Sequence, residues 1–294
     1  MHQAVLVDSV LSYLDLKPGQ IVLDGTIGSG GHAQDILKAI NPGGTLIGLD
    51  QDEKAVERAE KRLKTSGNNR VVLRRLNFRH LDRALSSLNI RQVHAVLLDI
   101  GLSSDQLGEP GRGFSFQKEG PLDMRMDQGL ETTAGDLVAG LRESELISVF
   151  REYGEERYAG RIARAIVLRR QKKPVGTTGE LKTLIEETVP AKYRHGRIHP
   201  ATRVFQALRI AVNDELNALK EALPKAFEIL APGGKLAVIS FHSLEDRIVK
   251  RFFIDKKAKG EGTVLTKKPV IARDEEIEAN PRARSAKLRV IERC

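Results

Sequence analysis

The stretch LDGTIGSGGH, Leu23 to His32, joins a short apolar run to a helical pattern, and its reading decides the fold. The run IVLDGT (Ile21 to Thr26) has the length and β-branched content of a buried strand, and ILKAI (Ile36 to Ile40) has helical spacing. Strand, glycine-rich turn and helix in succession open a doubly wound parallel sheet. The pattern repeats. Asn41-Pro42-Gly43-Gly44 breaks the helix, and TLIGLD (Thr45 to Asp50) supplies a second strand. A charged helix from Glu53 to Lys64 precedes VVLRRL (Val71 to Leu76), and a helix near Leu81 to Leu88 precedes HAVLLDI (His94 to Ile100). An α/β class with a parallel sheet is predicted.

The alternation then stops. Residues 105 to 135 are rich in Gly, Pro, Asp and Ser, and the helical segments that follow have no strand between them. These are Glu143 to Tyr153, Glu155 to Gln171, and one opened by Thr177 with Glu180 three positions on, a capping-box spacing. The chain is expected to divide into a sheet domain of 1–107 and 200–294 with an all-helical, substrate-recognising insertion over 108–199. A long helix from about Thr202 to Leu230 returns to the sheet. Ala231-Pro232-Gly233-Gly234 turns into KLAVISF (Lys235 to Phe241), and two last strands are expected near 263–267 and 287–292.

Composition narrows the class. Over 294 residues, 40% hydrophobic and 30% charged residues are those of an ordinary globular protein. Apolar runs such as AVLLDI (Ala95 to Ile100) and LAVISF (Leu236 to Phe241) are too short for a membrane helix. The segment MHQAVLVDSVL lacks signal-peptide character, so a cytoplasmic location and no membrane partner are expected. The single cysteine, Cys294, allows neither an internal disulfide nor a thiolate metal cluster. A net charge of +9 favours a polyanionic partner, with nucleic acid first.

Glycines 25, 28, 30 and 31 let backbone approach a ligand, but their spacing is not the G-x-G-x-x-G of dinucleotide sites. Asp24 beside that turn would repel a pyrophosphate and attract the cationic amino group and sulfonium of S-adenosylmethionine. Asp50, at the end of the second strand, suits ribose hydroxyls, a role open to adenosylmethionine and NAD alike. Asp99 ends the fourth strand in LLDIGLSSDQL (Leu97 to Leu107), beside Ser103, Ser104 and Gln106. An acceptor there could orient an exocyclic amine for attack, which makes Asp99 a catalytic candidate as well as a cofactor contact. SFHSLEDRIVKRFF (Ser240 to Phe253) brings His242 to the same edge as a second catalytic candidate. No G-x-S-x-G elbow supports a hydrolase, and His195 and His199, separated by Gly196 and followed by Pro200, do not make a helical metal pair, so no metal is expected.

Eight ordered blocks carry a resemblance across nearly the whole chain: LDGTIGSGGH, LLDIGLSSDQL, RGFSF (Arg112 to Phe116), GPLDMRMD (Gly120 to Asp127), YGEERYAGRIARAI (Tyr153 to Ile166), HPATRVFQALRIAVNDEL (His199 to Leu216), ISFHSLEDRIVKRFF and NPRARSAKLRVIER (Asn280 to Arg293). The chain resembles the bacterial small-subunit ribosomal RNA cytosine-N4 methyltransferases, the RsmH or MraW family. The resemblance implies a Rossmann-like class I methyltransferase sheet and S-adenosyl-L-methionine as cofactor. It implies N4-methylation of a cytidine in the decoding centre of 16S rRNA, within the small ribosomal subunit. It implies cofactor contacts at Gly30, Gly31, His32, Asp50, Phe78, Asp99 and Gln106, to which the residue reading adds Asp24 and Gly28. Two departures stand out. Ser9 occupies a position commonly held by glutamate in the family, and the Asp-Pro-Pro-aromatic motif of other amino-methyltransferases is replaced by Asp99-Ile100-Gly101-Leu102. Base stacking must come from elsewhere, with Phe114 and Phe116 as candidates.

Within Glu155 to Gln171, Arg157, Arg161 and Arg164 recur at helical spacing, and Tyr158, Ile162 and Ile166 form another stripe. Further cations gather in LRRQKK (Leu168 to Lys173), KYRHGR (Lys192 to Arg197) and RARSAKLR (Arg282 to Arg289). Arg157, Arg161, Arg164, Arg194 and Arg197 are the expected RNA contacts. An NAD-dependent oxidoreductase and a noncatalytic RNA-binding assembly module are the competing classes.

Overall fold

The computed structural model describes residues 4–64, 68–196 and 198–294. In chain order the first part contains α1 (Val7–Leu14), β1 (Ile21–Asp24), α2 (Gly31–Ala39), β2 (Thr45–Asp50), α3 (Glu53–Leu63), β3 (Arg70–Arg75), α4 (Leu81–Ser87) and β4 (Val93–Asp99). A helical stretch follows: α5 (Ser104–Gly108), α6 (Ala134–Gly140), α7 (Glu143–Glu152), α8 (Ala159–Arg170), α9 (Thr178–Thr188), α10 (Ala191–Arg194) and α11 (Ala201–Asn213). The last part contains α12 (Glu215–Glu228), β5 (Leu230–Ser240), α13 (Ser243–Ala258), β6 (Gly262–Val264), β7 (Val270–Ile271), α14 (Asp274–Ala279) and β8 (Lys287–Arg293).

Residues up to Gly101 and from Leu216 onward form one compact unit, and Leu102–Glu215 form the other. In the first unit the strands run in the order β3-β2-β1-β4-β5-β8-β6, with β7 also pairing β8. β1 to β5 are parallel, and β8 is antiparallel to β5. Side chains alternate across the sheet. Val22, Ala95, Leu97 and Ile239 face the layer that holds Ile36, Ala59 and Val10, whereas Leu23, Val96, Leu98 and Val238 face the layer that holds Leu85, Leu223 and Phe253. Both faces are covered, which explains the near-continuous apolar runs of the central strands. Each fully buried leucine among them contributes about 2 kcal/mol of transfer free energy. No helix among the described residues is long and apolar enough to cross a membrane.

The helical unit has its own core, built around Phe150, Ile162, Leu181 and Leu208. Its limits differ from the expected 108–199. The division falls after Gly101 and after Glu215, because α11 buries Ala201, Val204, Phe205, Ala207 and Leu208 in this core. The single helix expected from Thr202 to Leu230 is two helices, since Asp214 adopts left-handed backbone (φ 51°) and ends α11. The helix expected from Glu155 begins at Ala159. Glu155 is left-handed (φ 49°) and the Glu156 carboxylate accepts the Tyr158 amide at 2.7 Å, so Arg157 and Tyr158 precede the helix instead of riding on it. The expected last strands are β6, which is only three residues long, and β8, while β7 was not foreseen.

Asn213 closes the helical unit. Its Oδ1 accepts the Met126 amide at 2.7 Å, and its Nδ2 donates to the carbonyls of Met124 at 2.7 Å and Arg209 at 2.8 Å. Met124, with φ 61°, sits in a loop that lacks regular partners, so the amide side chain replaces a missing backbone ladder. Asn213→Ala should therefore orphan buried polar groups and cost roughly 2–4 kcal/mol, since each costs about 1–3 kcal/mol. Urea unfolding of the full chain checks this, and an unchanged midpoint would show that water takes over the role.

Candidate active site

The site grows from the carboxyl ends of three adjacent strands. Asp24 ends β1, Asp50 ends β2 and Asp99 ends β4. Thr26 ties two of them together, because its hydroxyl accepts the Asp99 amide at 2.6 Å and its own amide donates to Asp24 Oδ1 at 3.0 Å. The next turn is glycine-dependent: Gly28 (φ 52°) and Gly30 (φ 81°) are left-handed, and the Gly28 amide donates to Asp50 Oδ2 at 3.0 Å. Asp50 Oδ1 accepts the Asp52 amide at 2.9 Å, which leaves each carboxylate oxygen one further lone pair for a ligand hydroxyl. Gly31 opens α2, whose first turn has no side-chain cap. Phe78 lies in a 3-10 turn after β3 and packs half-buried on the adjoining core layer.

His32 is buried on α2, with Nε2 3.5 Å from Asp99 Oδ2, at the outer limit of a hydrogen bond. Burial opposes charge on this imidazole, but Asp99 and then Asp24 outweigh it, and the pKa is raised. Burial pushes the Asp24 carboxyl up to about 7 against the opposing influence of His32 and the Thr26 amide. Burial likewise pushes Asp50 up to about 6, despite its amide bonds from Asp52 and Gly28. The buried atoms Ser29 Oγ, His32 Nε2 and Asp99 Oδ1 make no hydrogen bond. Buried polar atoms without partners, gathered on a turn lined by three acids, fit a polar, cationic nucleoside such as S-adenosylmethionine. Asp50 would hold the ribose, Asp24 and Asp99 would face positive charge, and the uncapped start of α2 would meet a carboxylate.

His242 acts as the N-cap of α13: Nδ1 accepts the Glu245 amide at 3.4 Å, while Glu245 Oε2 accepts the amides of Phe241 and His242. Its Nδ1 thus has a local structural task, while Nε2 lies 3.0 Å from Glu245 Oε1. In the helical unit Gln106 is buried and shares a reciprocal cap with Ser103, at 3.0 and 3.1 Å. Arg157, Arg161, Arg164 and Arg194 are exposed there, and Arg197 lies outside the described residues. Phe114 is buried beneath the Arg112 guanidinium, which removes it as a base platform. Phe116 is stacked on His199 at 4.6 Å, and His199 in turn meets Glu186 at 2.9 Å. Thr26 was not singled out from sequence, because nothing in an isolated threonine announces a bond to a strand seventy-odd residues away.

This strand order, with its antiparallel β8 and acid-tipped strand ends, defines the Rossmann-like sheet of the class I methyltransferases, whose methyl donor is S-adenosylmethionine. The chain belongs to the MraW methylase family, whose sequence model matches residues 1–294. It is 50% identical to the ribosomal RNA small subunit methyltransferase H of Syntrophotalea carbinolica, over 99% of this chain and 98% of that protein. It is 47% identical to the enzyme of the same name from Halothermothrix orenii, with coverage of 99% and 98%. A crystal structure of an rRNA methylase from Streptococcus thermophilus superposes with a TM-score of 0.46 at 12% identity, covering 97% of this chain and 94% of that one.

The raised carboxyl of Asp24 makes stability depend on pH. Its native pKa of about 7 lies above the ordinary 3.8, so the folded protein holds a proton that the unfolded chain releases. The stability this confers is present below about pH 4 and lost as pH rises through about 7. Asp24→Asn, which stays neutral, should therefore exceed the wild type in denaturation midpoint above about pH 7 and lose that advantage towards about pH 4. Denaturant titrations across pH measure it, and a difference independent of pH would refute the raised carboxyl.

Proposed function

We propose that the chain transfers a methyl group from S-adenosyl-L-methionine to N4 of a cytidine in the decoding centre of 16S rRNA, acting on the small ribosomal subunit. The observation that carries this reading is Asp99 Oδ1, a buried carboxylate oxygen without a hydrogen-bond partner at the end of β4. The names of the relatives support small-subunit ribosomal RNA as substrate. A net charge of +9 supports a polyanionic one.

The cofactor, when bound, supplies an electrophilic methyl group on a sulfonium. The chain's own residues do the rest. Cytosine N4 is conjugated with its ring, and an acceptor at one of its protons favours the pyramidal geometry that frees the lone pair. Asp99 Oδ1 accepts from that N–H. As the nitrogen gains the methyl group it becomes cationic and must release one proton, which Asp99 Oδ1 takes up. The Thr26 hydroxyl fixes the Asp99 backbone, and His32, beside Oδ2, stabilises the anionic form before the proton arrives. Gly28, Gly30, Gly31, Phe78 and Asp50 hold the nucleoside, and the family resemblance adds Gln106 as a further candidate. His242 contributes through the start of α13. Exposed Arg157, Arg161, Arg164 and Arg194 of the helical unit take RNA phosphates, with Arg197 as a further candidate.

Incubation of methyl-labelled S-adenosylmethionine with assembled small subunits and with free 16S rRNA, followed by nucleoside mass spectrometry, tests the reaction. N4-methylcytidine is the expected product, and label on another nucleoside overturns the assignment. Asp99→Asn should lower the single-turnover rate roughly 10²-fold or more at saturating cofactor, the scale of a lost acid–base contribution, while RNA affinity changes little. Full recovery at saturation would reduce Asp99 to a cofactor ligand.

A further inference from the structure

Glu156 stands in the segment between α7 and α8 and is only 2% exposed. A carboxylate taken that far out of water is costly unless its oxygens are paired. Here Oε1 accepts the Tyr158 amide and Oε2 accepts the Tyr193 hydroxyl, each at 2.7 Å. Both bonds fix tyrosines. The two rings meet edge to face at 4.8 Å and rest on the core of the helical unit while remaining half-buried. Burial and the neighbouring Glu156 push the Tyr193 hydroxyl up to about 12, so it stays a donor.

Cations surround the pair. The Arg157 guanidinium lies 5.9 Å from the centre of the Tyr193 ring, and that of Arg161 lies 5.9 Å from the centre of the Tyr158 ring. Lys192 and Arg194, on either side of Tyr193, are exposed, as are Arg157 and Arg161. Filling the core would need only phenylalanines, and gathering phosphates would need only arginines. A buried acid spent on the Tyr158 backbone and the Tyr193 hydroxyl, among exposed cations, serves a ligand with both flat faces and negative charge. Unpaired RNA has both, whereas duplex RNA hides its base faces.

We infer that Tyr158 and Tyr193, held in place by Glu156, form a stacking platform for the bases of a single-stranded RNA segment, with Arg157, Arg161, Lys192 and Arg194 taking its phosphates. This rests on the proposed RNA substrate and adds to it the strandedness of the RNA and the groups that read it. Glu156 is here a positioning residue, and the tyrosines are the contacts.

The chain has four tyrosines and no tryptophan, so two of its four emitters, Tyr158 and Tyr193, report on the platform. The full-length protein is titrated with a short oligouridylate, with a blunt RNA duplex and with polyglutamate. Oligouridylate should quench the emission, and the duplex and polyglutamate should not. Tyr158→Phe with Tyr193→Phe should lose most of the quench and, because Tyr193 no longer bonds Glu156, a smaller part of the affinity than the leucine variant loses. Tyr158→Leu with Tyr193→Leu should weaken oligouridylate binding about tenfold or more, on the scale of one to two lost base stacks, and leave duplex binding unchanged. Replacing Arg157, Arg161 and Arg164 by glutamine should weaken both RNAs and flatten the salt dependence. If oligouridylate binds without quenching the wild type, or quenches equally in the phenylalanine variant, the platform is refuted and the cationic RNA surface stands. If polyglutamate quenches as well as RNA does, the tyrosine pair with its cations is a site for acidic protein. If the wild type binds neither RNA, the platform is refuted, while the proposed substrate stands or falls by methyl transfer to the assembled small subunit.

Discussion

Three carboxylates brought to one edge of a sheet and withdrawn from water repel one another and lose hydration, and the surrounding structure is organised to offset that cost. Parallel pairing of β2, β1 and β4 forces their carboxyl ends together, so Asp50, Asp24 and Asp99 arrive side by side. Backbone amides of Thr26, Gly28 and Asp52 answer two of them, and a buried imidazole faces the third. What they leave unanswered is negative charge and one bare oxygen on Asp99. A ligand that brings a positive sulfur and a hydroxylated ribose meets that need.

The same logic of burial separates the two functional halves of the molecule. In the sheet unit, buried acids at the strand ends face a site for a small cation. In the helical unit, the acid is buried too, but Glu156 spends its lone pairs on an amide and a phenol and so presents exposed arginines and half-buried rings. One use of a buried carboxylate leaves charge to be met by a ligand. The other converts it into shape.

Sequence disclosed the parts of this arrangement that rest on local pattern. β1, β2 and β4 announce themselves as apolar runs because both sheet faces are covered, and the acids at their ends are found by counting to the last residue of each run. Contacts between distant residues leave no such trace. The Thr26 hydroxyl and the Asn213 amide look ordinary until the backbone they satisfy is placed beside them. Periodicity misplaced the start of α8, since Arg157 and Tyr158 continue a 3.6-residue spacing that the left-handed Glu155 interrupts. It also fused α11 with α12, because an aspartate at 214 says nothing of its positive φ. His242 followed by Glu245 has the spacing of a capping box, and in the folded chain that local role takes up its Nδ1.

The pairing of β4 with β5 joins Val96 to Leu236, and β8, at 287–293, lies inside the sheet between β5 and β6. On the ribosome, β4 therefore emerges long before its second partner β5 and must wait with that edge unpaired. The helical stretch, contiguous in sequence, can collapse on its own core during that wait. Folding of the sheet is then gated by the arrival of its latest-made inner strand. A ribosome that stalls before residue 287 would hold a finished helical unit attached to an exposed, sticky β-edge, the kind of nascent chain that chaperones engage.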